Sequence, residues 1–137
     1  MKTLMKISLT FALTVSLVSL AIAQQPDDKD YDKFLIKCLE DENFGIRTSA
    51  AQLVGERKVE AAVEPLIKMM KIEKRYCARI VAALALYKIG NTKALPELKK
   101  LAACDNCKTV RHIATAIVLE MQNVQFVQKE PQPTGSQ

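Results

Sequence analysis

Tryptophan is absent from this chain, glycine occurs four times and histidine once in 137 residues. Aromatic residues make up only 5%. A β-sandwich or barrel needs recurrent turn signals and aromatic or β-branched strands, so that class is excluded. A single His, with no Gly-x-Ser-x-Gly turn, leaves no Ser-His-Asp triad to build. No glycine-rich phosphate loop is present either. The apolar share of 49% is too high for a wholly disordered chain. The length suits one domain.

That apolar content is unevenly spread. Lys2 and Lys6 precede an apolar run from Ile7 to Ile22, broken only by Ser and Thr, and Ala21-Ile22-Ala23 closes it. A positive start, a short apolar core and an A-x-A end are the three parts of a secretory signal peptide. The run falls short of the ~20 residues that span a bilayer. Residues 1–23 are therefore expected to be a signal peptide cleaved after Ala23. No Cys follows the cut to carry a lipid anchor. The mature chain would have 114 residues, and without Lys2 and Lys6 its charge falls from +5 to +3. So small a charge, on an exported chain, argues against nucleic acid as a partner. The expected location is secreted or periplasmic, with membrane contact only through the signal peptide.

Residues 24–30 read as an acidic linker. From Tyr31 to Met121 apolar residues recur at helical spacing. Phe34, Leu35, Cys38 and Leu39 make one stripe; Ala62, Val63, Leu66, Ile67 and Met70 another; Ile80, Ala83, Leu84 and Tyr87 a third. Helices are predicted at about 30–40, 44–56, 60–71, 75–89, 93–103 and 107–122. Residues 123–137, with Pro131, Pro133 and Gly135, read as a disordered tail. A shift of 32 places aligns Arg47, Arg79 and Arg111, each followed three places on by Ala50, Ala82 and Ala114. Val54, Leu86 and Val118 align too, as do Leu66 with Leu98. A two-helix period of this length describes a solenoid whose units bury a core only by stacking.

The chain resembles the HEAT repeat family, in the short bacterial form related to phycobilin lyase HEAT-like repeats. The residues that carry this are Ile46-Arg47-x-x-Ala50-Ala51-x-x-Val54-Gly55, Ala78-Arg79-x-x-Ala82-Ala83 and Val110-Arg111-x-x-Ala114. The resemblance covers residues 31–122. It implies an all-α fold, a short α-solenoid of about two and a half helical hairpins (an α-α superhelix). It also implies that the repeated Arg pairs with acidic or carbonyl groups of a neighbouring loop, where Asp41 or Glu42, Glu73 and Asp105 stand ready. Such repeats mostly serve as binding scaffolds. A helper subunit of a lyase-like assembly is a further role that the resemblance alone suggests.

Two other groups stand out. Lys68, Lys71, Lys74 and Arg75, with Lys99, Lys100 and Lys108, cluster about the inter-repeat loops. They read either as a solvated face or as a patch for an acidic partner or anionic lipid headgroups. Cys38, Cys77, Cys104 and Cys107 all lie in the mature chain, where an oxidising compartment favours disulfides. Helix layers about 8–10 Å apart put Cys38 too far from Cys104 or Cys107 for a bridge. Of the full pairings, Cys38–Cys77 with Cys104–Cys107 avoids that jump, and a partial scheme such as Cys77–Cys107 stays open. Cys104-x-x-Cys107 could also be a redox site, or a metal site recruiting Cys77 and His112. A c-type haem site would need His where Lys108 stands. Glu56, Glu60 and Glu64 read as solvated charge, not an acid–base pair.

The expected function is a non-enzymatic scaffold that binds a protein, with no cofactor. The alternative is a redox or metal-binding envelope protein using Cys104 and Cys107.

Overall fold

The computed structural model describes residues 28–129, apart from the side chains of Gln125 and residues 127–129. The predicted signal peptide and the end of the predicted tail lie outside the described residues. Two compact units divide the chain, Met1–Tyr31 and Asp32–Gln137. The second unit holds the layered helices.

Among the described residues six α-helices follow in order: α1 (Asp28–Cys38), α2 (Phe44–Glu56), α3 (Val63–Ile72), α4 (Tyr76–Ile89), α5 (Leu95–Cys104) and α6 (Lys108–Lys129). No strand occurs among the described residues. The chain is thus the all-α solenoid that the repeat implies.

Local chemistry sets the ends. The Asn43 side chain accepts from the amides of Gly45 and Ile46 and so caps α2. Gly90 ends α4 in the left-handed region, at φ 78°, which suits a residue without Cβ. Short 3-10 turns at Glu60–Ala62 and Thr92–Ala94 lead into α3 and α5.

Helices α2, α4 and α6 stack side by side, while α3 packs on α4 and α5 on α6. Small residues permit the close approach. Ala50, Ala51, Ala82, Ala83 and Ala114 are buried, and larger Leu66, Leu86, Leu98 and Val54 fill the space between. A Cβ built on Gly55 would stand 2.8 Å from the Ala85 Cα, so only glycine fits there as α2 and α4 now lie.

Two boundaries differ from the sequence reading. Helix α1 already begins at Asp28, inside the predicted linker. Its acidic first turn suits the positive end of a helix dipole. Helix α6 continues to Lys129 instead of stopping near residue 122. The glutamines there are sound helix formers, and no Gly or Pro intervenes before Pro131. Met121 is buried, and Val124 lines a hollow with Gly55 and Tyr87, which gives the extension something to pack on.

Candidate functional site

The repeated arginines form a ladder through the layers. In α2, Arg47 donates from Nε to Glu73 Oε1 and from Nη1 to the carbonyls of Asp41 and Glu42. In α4, Arg79 donates to both Asp105 carboxylate oxygens, at 2.7 and 2.8 Å. It also reaches the carbonyls of Glu73 and Lys74 and the side chain of Asn106. Arg111 donates from Nη1 to the Asp105 carbonyl. Each arginine thus ties down the loop before its own helix, and the first two also hold the acid one layer on.

The Arg79–Asp105 pair is the most enclosed, with side chains 9% and 5% exposed. The Arg79 hydrogen bonds hold the Asp105 carboxyl below its ordinary range. The same bonds raise Arg79. The Arg79 donors are spent on Asp105, Asn106 and two loop carbonyls, so the ladder offers no open anion site at Arg79.

The lysine-rich edge is less basic than its composition suggests. Lys68 pairs with Glu40 at 2.6 Å, and Lys71 and Lys100 both approach Glu97. Lysine holds Glu40 and Glu97 below the usual carboxylate range by donating to each. Arg75 lies over the Phe44 ring, 4.3 Å from its centroid. Lys74, Lys99 and Lys108 are exposed. Acids from neighbouring layers are threaded through the patch, a mixing that sequence clusters do not display.

All four cysteines are free thiols. Cys77 and Cys107 line one hollow of about 460 Å³ with Arg79 and Asn106. Cys104 lines the adjoining hollow with Arg79, Asp105 and Lys74. Cys38 lines neither. The fold therefore gathers Cys77, Cys104 and Cys107 about the Arg79–Asp105 pair. Cys107 immediately precedes α6, and the amides of Val110 and Thr109 hold its thiol below its ordinary value. Among the described residues no three His, Cys, Asp or Glu side chains are grouped to hold a metal ion.

One feature was hidden in the sequence. Helix α4 is apolar nearly all round. Its Ala82, Ala83 and Leu86 are buried, but Tyr76, Leu84 and Tyr87 are 54%, 40% and 40% exposed. With half-buried Ile80 they form one stripe, at i, i+4, i+8 and i+11. The register positions of Ile80 and Leu84 are Thr48 and Gln52 on α2 and His112 and Ala116 on α6, whereas those of Tyr76 and Tyr87 are Phe44 and Gly55 on α2 and Lys108 and Leu119 on α6. The middle of the stripe is thus bordered by polar and small residues, as in a protein-binding patch.

Among the described residues no helix is long and apolar enough to cross a membrane. The family model described as HEAT repeats matches residues 21–119, well over half the chain. A search among curated proteins finds no match.

Proposed function

The chain belongs to the HEAT repeat family, and on that premise we propose that it is an exported, non-enzymatic scaffold that docks a protein. HEAT repeats commonly mediate protein–protein interaction, and the family is generally non-enzymatic. The observation that carries this reading is the exposed stripe of Tyr76, Ile80, Leu84 and Tyr87 on the central helix. Tyrosines supply large contact area at low entropic cost, and such residues recur in binding hot spots. Lys74, Lys99 and Lys108 would flank the docked partner and favour an acidic one.

Photo-crosslinking in the native cells tests this. A photoreactive residue at Leu84 should capture a discrete protein, and one at exposed Glu64, on α3 in the other layer, should not. Equal capture from both positions, or none from Leu84, would contradict it. Export rests on residues 1–23. Intact mass of the protein recovered from its own cells should correspond to a chain beginning at Gln24. An unprocessed mass would remove the export reading.

The second reading, thiol chemistry, is favoured by one specific observation, the amide-supported Cys107 thiol beside Cys77. Mild oxidation followed by peptide mapping should join cysteines within the group Cys77, Cys104 and Cys107, leaving Cys38 free. A Cys38–Cys77 bridge would instead support the pairing that the sequence alone favoured.

A further inference from the structure

The arginine ladder has two open ends. Residues 41, 73 and 105 stand in register, one per layer. Glu73 and Asp105 each serve twice. The backbone carbonyl accepts from the arginine of its own layer, and the carboxylate accepts from the arginine one layer back. Asp41 gives its carbonyl to Arg47, yet its carboxylate accepts only from the Asn43 amide among the described residues. Asp105 makes the same turn with the Cys107 amide. Asp41 is therefore already posed like a filled acceptor. At the other end, Arg111 meets no carboxylate among the described residues.

The helix faces repeat this pattern. The close approach of Gly55 to Ala85 shows which face of α2 meets the next layer. On that face Ala51 and Ala83 are 0% and 1% exposed, while Thr115, in register on α6, is exposed. Leu119 stands in register with Gly55 and is 56% exposed. On the opposite face, Ala78 and Val110 are 0% and 1% exposed, while Ile46, their counterpart on α2, is 43% exposed. Terminal repeats of a solenoid ordinarily carry a polar outer face. Among the described residues each of these two shows one exposed apolar side chain, Ile46 or Leu119, and one charge that meets no opposite charge, Asp41 or Arg111.

We propose that the two ends bind each other, so that a second copy of this chain stacks on the first. Helix α6 receives the second copy's α2 as α4 receives α6, and Arg111 forks onto the second copy's Asp41. Glu42 stands in the register of Asn106, which accepts from Arg79, so the incoming guanidinium meets two carboxylates. The two patches differ, so the contact is heterologous and repeats as an open stack, not a closed pair. This surface is separate from the α4 stripe, so the self-association does not depend on the scaffold reading.

The test uses protein purified from cells expressing the full-length chain, followed by sedimentation across concentration and salt. Wild type should grow in mass with concentration, and salt should weaken the growth. Arg111→Glu and Asp41→Lys should each weaken self-association about tenfold or more. An equimolar mixture of Arg111→Gln and Asp41→Asn, whose altered ends carry no complementary charges, should form a heterodimer and little larger, because each variant keeps one intact end. Leu84→Asp should assemble like wild type. If a charge reversal fails to fold, Arg111→Gln and Asp41→Asn serve instead, the latter keeping an acceptor for Asn43. A wild type that stays monomeric throughout overturns the proposal. So does a closed dimer, or assembly indifferent to both substitutions.

Discussion

Arg79 carries more of this fold than any other polar side chain. It joins α4 to the loop before it and to the loop after α5, while 9% exposed. Replacing it by Gln strands the Asp105 carboxylate and should cost about 2 kcal/mol, read by urea denaturation. The depressed Asp105 carboxyl also links stability to pH. Its contribution is present above the ordinary aspartate value and is lost as pH falls through the lowered folded value. Wild type should therefore lose stability below about pH 4, and Asp105→Asn should flatten that loss. The three arginines were legible as a period of 32. The carboxylate partners of the first two lie 26 residues on, across a helix and two loops, and only the stacked layers bring them together. Cys107, by contrast, was legible: its C-x-x-C falls at the start of the helix predicted at about 107–122, and the structure places Cys107 just before α6. Its alkylation should run ahead of an ordinary thiol at neutral pH, and Thr109→Pro, which removes one supporting amide, should slow it.

At the scale of the helix, spacing and packing part company at α4. Periodicity marks Ile80, Ala83, Leu84 and Tyr87 as one buried run. The structure buries Ala83 and exposes Leu84 and Tyr87. A helix apolar on every side has no contrast from which periodicity can choose a face. Phe34 and Ile46, likewise apolar, are exposed at the opening of the stack. The α2–α4 contact turns on one glycine. Gly55→Ala places a Cβ 2.8 Å from the Ala85 Cα and should destabilise the protein by about 1–3 kcal/mol. Gly90→Ala meets no neighbour within 4 Å and should cost less, about 1 kcal/mol, through its φ of 78° alone. Thermal unfolding of the two variants separates crowding from backbone strain.

The whole molecule is a short stack in which charge is mostly spent between layers. Lys68, Lys71 and Lys100 reach acids along the edge, which leaves a mixed surface where the sequence suggested a basic one. The fold class was legible because the repeat imposes it three times over. The proposed docking stripe was less so, because the repeat is broken at its middle: Ile80 and Leu84 stand in register with Thr48, Gln52, His112 and Ala116, while Tyr76 and Tyr87 share their register with apolar Phe44 and Leu119. The proposed docking centres on this layer, and its strength should follow the stripe more than net charge. The direct test is calorimetric titration of the partner captured from Leu84 against wild type and Leu84→Asp, each shown by circular dichroism to be folded. The stripe predicts at least about a 30-fold loss of affinity in the variant. Unchanged affinity in a folded Leu84→Asp protein would contradict it.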